Sequence, residues 1–469
     1  MKWLAVLFLV GFIPFLILLN AHQEPIAPKP PIPCLPTQTE SIPNIPHISD
    51  IHFNPFYDAT LVENLIKSNA EQWESIFQTS KINTLGTLNE SETNYLLLIS
   101  ALNNLSEAAN KPDFVIFTGD FLAHDFDEKF ANYSKPGDNY SDFVIKTMNF
   151  MTLMFKKFFP DTPVYFCLGN NDSDTGDYEI VPDGTFLKGT TPILSANMIK
   201  DDDDRKTFEA TYPAGGYFIL SPRGNENTRI ISLNSNFFSV KYIAAPGTDP
   251  GTQELDWLEK TLASLQIENK KVWIILHIPP GANVYSTISK KSYVPMWMTK
   301  YNDHFITIMM KYRNIINAGF AGHTHMDDFR LLQQTSEPQG ITFFKIGPAI
   351  SPEFGNNPAF EWLSYNRKEF SLGGYYVYYI DIASNNTPTS PWKFEYNFNK
   401  TYDQPYFTAS SILTVYNSIL ANPTFKNSYM VYYNVSSKGD GSLNDSNFKA
   451  YWCGIGCWTE DDFTKCNGN

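Results

Sequence analysis

Short apolar runs alternate with amphipathic stretches through the middle of the chain. Runs of five or six β-prone residues are typical of strands that are buried on both faces. The runs cover 113–117, 164–168, 229–233, 271–276, 315–320 and 341–346. Helical patterns lie between them at 95–109, 142–159 and 253–265. Strands that alternate with helices predict a layered α/β core.

The pattern changes towards the C-terminus. Two more strands are predicted at 375–382 and 392–398. The chain beyond about residue 403 is aromatic and rich in Asn-x-Ser/Thr, and it carries three of the five cysteines. We therefore predict a main domain over 47–385 and a C-terminal subdomain with disulfides over 386–469 that packs on it.

The first 46 residues differ from the rest of the chain. Lys2 precedes an apolar run over 3–19, and the small residue Ala21 follows it, which is typical of a signal peptide over 1–21. Because the run is close to the minimum length of a membrane span, an uncleaved anchor is the alternative. Prolines crowd residues 22–46 and predict an extended linker.

Composition and charge narrow the range of partners. Apolar residues make up 43% of the chain, enough for a large core, and the formal net charge is −14. Nucleic acid is disfavoured as a partner, because binding to a polyanion depends on Lys and Arg. The chain also offers no basic patch for an anionic membrane.

Glycosylation sequons agree with the secretory route that a signal peptide implies. They occur at Asn89, Asn104, Asn132, Asn139, Asn171, Asn385, Asn399, Asn434 and Asn444. We predict a glycoprotein in which Asn171 is unmodified, because that residue belongs to a cluster of candidate site residues.

Five cysteines are present, at Cys34, Cys167, Cys453, Cys457 and Cys466. Cys167 lies inside an apolar run and is predicted to be a buried free thiol. The other four allow three connectivities. We expect Cys453–Cys457 and Cys34–Cys466.

Polar side chains follow the strand-like runs at five places. The motifs are Asp50-Ile51-His52, Gly119-Asp120 with His124, Gly169-Asn170-Asn171, His277, and Gly322-His323-Thr324-His325. In layered α/β folds, ligand sites gather at the carboxyl ends of strands, so these groups are expected at one edge. The histidine pair at 323 and 325 alone is weak evidence for a ligand site, whereas the ordered set of five motifs is strong evidence.

The set offers the ligands of a metal centre. The candidates are Asp50, His52, Asp120, Asn170, His277, His323 and His325. Seven ligands are too many for one ion, and they suit two ions that share a carboxylate at a separation of about 3.5–4 Å. Mixed nitrogen and oxygen ligation without thiolate favours Zn, Fe or Mn over Mg or Ca.

This ordered set of motifs resembles the calcineurin-like metallophosphoesterases. Within them it is more similar to the acid sphingomyelinase-like phosphodiesterases, as four further segments indicate. These segments are 231–237, 277–281, 322–329 and 355–358. The resemblance covers residues from about 48 to 382. It implies a four-layer αββα sandwich with a small, mostly helical C-terminal subdomain.

The resemblance also implies a role for each candidate residue. One zinc would be held by Asp50, His52, Asp120 and His325, and the other by Asp120, Asn170, His277 and His323. Asp120 would bridge the two ions. A hydroxide between the ions would attack the phosphorus, and His124 would protonate the leaving group as a general acid.

The chain departs from the family pattern in two ways. Most relatives carry His directly after the metal-binding Asn, whereas position 171 is Asn, whose neutral amide can hydrogen-bond a phosphoryl oxygen but cannot supply a proton. Second, acid sphingomyelinase itself has a saposin-like domain before these motifs, whereas only a linker of about 25 residues is found here. The second departure favours the sphingomyelinase-like members.

We therefore predict a secreted or lysosome-like di-zinc phosphodiesterase, with His124 and Asn171 as catalytic residues. Its substrates would be small-molecule or lipid phosphodiesters of the sphingomyelin, nucleotide or choline type. We expect a monomer that makes transient contact with a membrane surface. The alternatives are a phosphomonoesterase or endopolyphosphatase on the same site, and a binding glycoprotein that Asn171 has weakened catalytically.

Some polar features receive no role in this interpretation. The acidic run Asp201–Asp204 is predicted to be a solvated loop. No partner is assigned to His22, His47 or His304.

Overall fold

The computed structural model of the protein describes residues 44–108, 111–334, 337–438 and 443–468. The predicted signal peptide, Cys34 and the linker up to residue 43 lie outside these ranges. Within them, none of the helices combines the length and apolar character that crossing a membrane requires.

The described chain forms 12 strands and 15 α-helices. The strands are β1 (Asn44–Ile48), β2 (Val115–Phe117), β3 (Val164–Phe166), β4 (Phe218–Leu220), β5 (Thr228–Ser232), β6 (Lys271–Ile275), β7 (Ile316–Ala321), β8 (Asp328–Gln334), β9 (Glu337–Ile346), β10 (Ala359–Asn366), β11 (Ser371–Tyr379) and β12 (Lys393–Asn397). The helices are α1 (Val62–Lys67), α2 (Trp73–Phe77), α3 (Tyr95–Ala108), α4 (Phe126–Ala131), α5 (Tyr140–Phe158), α6 (Thr185–Met198), α7 (Asp202–Thr211), α8 (Pro250–Ile267), α9 (Val284–Lys290), α10 (Thr299–Lys311), α11 (Phe398–Thr401), α12 (Ala409–Ile419), α13 (Pro423–Tyr433), α14 (Phe448–Gly456) and α15 (Glu460–Gly468).

The strands form two six-stranded sheets. The first has the order β12-β11-β10-β1-β2-β3, and the second has the order β4-β5-β6-β7-β9-β8. The strands β1, β2 and β3 are parallel, as are β5, β6, β7 and β9, and the outer pairs are antiparallel. Each sheet therefore has a parallel part whose carboxyl ends meet at one edge.

The two sheets pack face to face through aromatic side chains. Trp273 of β6 lies 5.6 Å from the ring of Tyr365 on β10 and 5.9 Å from that of Phe114. Helices cover the outer faces, as contacts between α5 and β2 and between α10 and β9 illustrate. The predicted four-layer αββα architecture is confirmed.

The C-terminal part is helical, as predicted, and its helices pack on the second sheet. Helices α12 and α14 lie against β8 and β9. Tyr416 of α12 stacks on Trp452 of α14 at 4.6 Å. This packing joins the C-terminal helices to the sheet whose neighbouring strands carry three of the candidate histidines.

The predicted disulfides are wrong. Cys453 is bonded to Cys466, with a Cα–Cα distance of 5.8 Å, and Cys457 is a buried free thiol. The N–H of Cys457 donates to the carbonyl of Cys453 at the end of α14, and the helical turn between them separates the side chains. Helix α15 packs against α14 and brings Cys466 across. The prediction of a buried free thiol at Cys167 is confirmed.

The acidic run is not a solvated loop. Asp201 caps α7, and its Oδ1 accepts from the N–H groups of Asp203 and Asp204 at 2.9 and 3.0 Å. Acidic side chains in a first helical turn are favoured by the helix dipole. Asp204 is 9% exposed and accepts from the N–H of Ser221. The run therefore starts a helix.

Candidate metal centre

The seven candidate ligands meet where the carboxyl ends of the two sheets come together. Each one follows a strand in the parallel part of its sheet. Asp50 and His52 follow β1, Asp120 follows β2, Asn170 follows β3, His277 follows β6, and His323 and His325 follow β7. The first sheet supplies the carboxylates, the amide and one imidazole, and the second supplies the other three imidazoles.

Sharp turns after these strands aim the side chains inward. Five of the seven have a positive φ, which is uncommon for residues other than glycine and is found at functional sites where strain is held by the fold. They are Asp50 (46°), His52 (47°), Asp120 (59°), His323 (74°) and His325 (63°). The backbone at these five positions therefore leaves regular secondary structure and directs the side chains into the site.

Asp120 lies at the centre of the cluster. Its Oδ2 is 3.3 Å from His52 Nε2 and 3.1 Å from His277 Nε2. Burial raises the pKa of this carboxyl, but the two neighbouring imidazoles outweigh burial and hold the pKa well below its usual value. One oxygen of Asp120 thus faces ligand candidates from both sheets.

One half of the cluster surrounds Asp50. Its Oδ1 lies 3.8 Å from His52 Nε2 and 3.6 Å from His325 Nε2. The two imidazole Nε2 atoms are 3.0 Å apart. His52 Nδ1 donates to the carbonyl of Leu122 at 3.0 Å, which leaves Nε2 facing the cluster.

The other half of the cluster surrounds Asn170. Its Oδ1 lies 2.8 Å from His323 Nδ1 and 3.1 Å from His277 Nε2. Its Nδ2 donates to Asp177 at 2.7 Å, so the amide oxygen is oriented towards the histidines. His277 Nδ1 donates to the carbonyl of Thr118 at 2.7 Å, an arrangement that is typical of metal-binding imidazoles.

The imidazoles differ in their affinity for protons. Burial, followed by repulsion from His277, lowers the pKa of His323 well below its usual value, and burial with His52 does the same for His325. Burial also opposes the charged form of His277, but Asp120 outweighs it and raises the pKa to about 9. Two imidazoles are therefore neutral and ready to bind a cation, whereas His277 must first lose a proton.

His124 lies beside the cluster rather than within it. Its ring stacks on His52 with a centroid distance of 4.0 Å. Its Nδ1 lies 2.7 Å from Glu353 Oε2 and 3.3 Å from Glu92 Oε1. Burial lowers the pKa of His124, but the two carboxylates outweigh it and raise the pKa to about 10. The imidazole is thus held in its protonated form.

Asn171 is buried and bonded to the central carboxylate. Its N–H donates to Asp120 Oδ1 at 2.9 Å, and its side-chain Nδ2 donates to Oδ2 at 3.1 Å. At 7% exposure, its amide nitrogen has no room for a glycan. This geometry supports the prediction that Asn171 is unmodified.

Three acidic residues near the cluster were missed by the sequence analysis. Asp172 accepts four backbone N–H groups, from 120–122 and from Gly169, and so joins the loops that carry Asp120 and Asn170. Glu92 and Glu353 hold His124. Asp172 could have been predicted to belong to the site because it directly follows Asn171. No sequence pattern identifies Glu92 or Glu353 as a partner of His124.

A cleft of about 520 Å³ opens over the cluster. Tyr285 and Phe354 line it and are 66% and 52% exposed. On another wall, Lys241 Nζ lies 4.5 Å from the ring centroid of Tyr178. The tyrosine hydroxyl in turn is 3.4 Å from His323 Nε2. A ligand in this cleft would therefore meet aromatic surface as well as the polar cluster.

The residues present fit a pair of divalent cations. The donor set is oxygen and imidazole nitrogen without thiolate, as zinc-like ions accept. Asp50, His52 and Asp120 form a close group with the spacing of metal ligands, and His325 lies next to His52 at this point.

The sequence matches the family model of the calcineurin-like phosphoesterases over residues 43–327. This match covers more than half of the chain. The chain belongs to this family. The resemblance predicted from the motifs is confirmed.

Curated relatives of this phosphoesterase agree with the predicted enzyme class. The human acid sphingomyelinase-like phosphodiesterase 3b is 25% identical over 90% of this chain and 89% of its own length. The human cyclic GMP-AMP phosphodiesterase is 28% identical over 76% of this chain and 75% of its own length. Sphingomyelinase phosphodiesterase C of Dictyostelium discoideum is 27% identical over 76% of this chain and 77% of its own length. The class, a metal-dependent phosphoric diester hydrolase, is confirmed.

A solved structure of a dimetal phosphatase from Danio rerio is also similar to this phosphoesterase. It is 12% identical with a TM-score of 0.41, and the match covers 75% of this chain and 98% of that one. The assignment of the αββα fold rests on the two sheets and their flanking helices described above.

Proposed function

We propose that this protein hydrolyses phosphodiesters at a centre that would hold two zinc ions, with Asp120 as the ligand shared by both. The observation that carries the proposal is the position of Asp120 Oδ2, within 3.3 Å of an imidazole from each sheet. Asp50, His52 and His325 complete one set of ligands, and Asn170, His277 and His323 complete the other. Bound cations supply Lewis-acid chemistry, which activates water and neutralises charge on the phosphoryl oxygens.

The protein side chains would supply the proton that the leaving oxygen needs. His124 is protonated, lines the cleft and stacks on a candidate ligand, so it can deliver that proton as a general acid. Glu353 and Glu92 hold its Nδ1, which leaves Nε2 as the nitrogen that faces the substrate. Asn171 holds the bridging carboxylate and carries no proton to transfer.

The substrate we propose is a small-molecule or lipid phosphodiester. The names of the relatives include sphingomyelin and cyclic GMP-AMP as substrates, and both contain a phosphodiester bond. Exposed aromatic side chains in the cleft suit an apolar or a stacking substituent on the phosphate. The net charge of −14 argues against a polymeric nucleic acid.

We propose a secretory route for this enzyme. The N-terminal pattern supports it, and so do four sequons whose asparagines are exposed on the folded surface. These are Asn89, Asn132, Asn139 and Asn444. Digestion of the protein from a eukaryotic secretory host with an endoglycosidase would reduce its mass if these sites are used. An unchanged mass would contradict the prediction of a glycoprotein.

A substrate panel tests the proposed activity. Protein loaded with zinc is assayed with bis(p-nitrophenyl) phosphate, p-nitrophenyl phosphate, sphingomyelin and polyphosphate, and Asp120→Ala serves as the control. We expect the diesters to be hydrolysed and Asp120→Ala to be inactive. Hydrolysis of the monoester or of polyphosphate alone would favour the alternative phosphatase. No turnover of any substrate with two metals bound would favour the binding glycoprotein.

A further inference from the structure

We propose that His47 is a positioning residue for Asp50, acting through the hydroxyls of Thr118 and Ser49. The proposal rests on the proposed two-metal site and adds a residue that lies outside it. His47 is on β1, three residues before Asp50, and is 1% exposed. We use the term relay for His47, Thr118, Ser49 and Asp50.

Short polar contacts join the members of the relay. His47 Nε2 lies 3.2 Å from Thr118 Oγ1, and Thr118 Oγ1 donates to Ser49 Oγ at 2.6 Å. Ser49 Oγ donates to Asp50 Oδ2. All four side chains are buried, so water does not compete for these contacts.

The direction of the hydrogen bonds follows from the carboxylate end. An ionised Asp50 only accepts, so the hydroxyl proton of Ser49 is used there and Ser49 must accept from Thr118. The single hydroxyl proton of Thr118 is then used as well, and its oxygen can only accept from His47. Every donor in the relay therefore points towards Asp50.

A buried ion-pair network holds the other side of His47. Its Nδ1 lies 2.8 Å from Glu361 Oε2. Lys345 Nζ lies 2.5 Å from the other oxygen of Glu361 and 2.7 Å from Asp327 Oδ1. These charges are fully buried, and separating any of them would leave an unpaired charge in the core. The imidazole is therefore held in place on both sides.

Two glycines allow the relay to pack this closely. A Cβ atom at Gly347 would lie 2.7 Å from His47 Cε1. A Cβ atom at Gly322 would lie 2.3 Å from Ser49 Oγ and 2.6 Å from Asp50 Oδ2. All three distances are shorter than a Cβ contact tolerates. The loop that carries the histidine pair thus encloses the end of the relay.

The relay determines which oxygen of Asp50 faces the cluster. The N–H of His323 lies 2.9 Å from Oδ1 and 3.1 Å from Oδ2, so it barely distinguishes the two oxygens. Ser49 contacts only Oδ2. Oδ1 is therefore the oxygen that faces His52 and His325, as a ligand of the first ion would.

Zinc titration of the metal-free protein tests this role without an assay of turnover. Outer hydrogen-bond partners of metal ligands typically contribute about 10- to 100-fold to metal affinity. We expect His47→Gln, Thr118→Val and Ser49→Ala each to weaken zinc binding at least ~10-fold. The control is Tyr396→Phe, which removes the 2.8 Å hydrogen bond to Asp327 in the same buried network but leaves the relay intact. The zinc affinity of this control should match that of the wild type.

A double variant separates a relay from general destabilisation. If His47 acts only through Ser49, then His47→Gln combined with Ser49→Ala should bind zinc as weakly as Ser49→Ala alone. Additive losses would overturn the proposal, as would wild-type zinc affinity in His47→Gln. If His47→Gln does not fold, Thr118→Val combined with Ser49→Ala provides the same comparison.

The zinc titration also separates this proposal from the proposed function. If the wild type binds zinc and the relay variants bind it equally well, the relay proposal is contradicted and the proposed metal centre is not. A wild-type protein that binds no zinc would contradict the metal centre and the relay together.

Discussion

Asn171 binds both oxygens of Asp120, with its backbone N–H 2.9 Å from Oδ1 and its side-chain Nδ2 3.1 Å from Oδ2. The residue at this position was the main departure from the family pattern. Its contacts give it a role that a neutral amide can perform, because they orient the carboxylate that both halves of the cluster share. The departure therefore does not by itself weaken the metal centre.

Substitution of Asn171 tests this role. Asn171→Ala removes one hydrogen bond to Asp120 and should weaken zinc binding about tenfold. Asn171→Asp puts a second carboxylate within hydrogen-bond distance of Asp120, and like charges at that distance disfavour ionisation of both groups. Metal affinity should therefore fall further in Asn171→Asp, as measured by competition with a zinc-sensitive chelator. Equal affinities for the two variants would contradict the proposed orientation of Asp120.

His124 provides the test of proton transfer. Without a general acid the leaving group departs as a poorer alkoxide, so His124→Gln should lower turnover about 100-fold or more. Metal content should be unchanged, because His124 is not in either proposed ligand set. His304→Gln, which changes a surface histidine near Glu259, is the matched control. Wild-type turnover in His124→Gln would contradict the role of His124 as the general acid.

The pH profile should depend on Glu353. A general acid works while it is protonated, so turnover falls on the alkaline side as His124 loses its proton. Glu353 and Glu92 raise the pKa of His124 to about 10 against the effect of burial. Bound cations act in the opposite direction, so the alkaline limit of the loaded enzyme should lie below that value. In Glu353→Gln the alkaline limit should move to lower pH, and an unmoved limit would contradict the pairing.

Zinc binding should release a proton from His277. Asp120 raises the pKa of this histidine to about 9 in the metal-free protein, so below that pH a proton competes with the metal. Apparent zinc affinity should thus rise roughly tenfold per pH unit below pH 9, with about one proton released per chain. Calorimetry in two buffers with different ionisation enthalpies measures that release at pH 8. His277→Asn should abolish it, and an undiminished release would assign the proton elsewhere.

The candidate ligands could be predicted because each lies a few residues after a buried strand. A motif such as Asp50-Ile51-His52 shows which residue types are available as ligands, and its place after a strand predicts that they lie at the edge of the sheet. Glu92 and Glu353 could not be predicted in this way, since they reach His124 from distant segments that share no pattern with it. The role of His47 was missed for the same reason, because its partner Glu361 lies opposite it on a neighbouring strand.

Two strands and the disulfide that the sequence analysis missed have local explanations. β1 is preceded by prolines and contains Pro46, so its residues were assigned to the linker. β10 is buried on both faces but contains Glu361 and Ser364, which interrupt its apolar pattern. The disulfide of Cys453 depends on how α15 packs against α14, a contact that cysteine spacing does not encode.

Metal stoichiometry is the most direct test of the two-metal centre. Protein is loaded with excess zinc, desalted and analysed by mass spectrometry for metal per chain. We predict about two zinc ions in the wild type, and a loss of both in Asp120→Ala because each ion depends on the shared carboxylate. Asn170→Ala should keep the ion held by Asp50, His52 and His325. A wild-type protein with one zinc, or an Asp120→Ala protein that retains two, would contradict a centre bridged by Asp120.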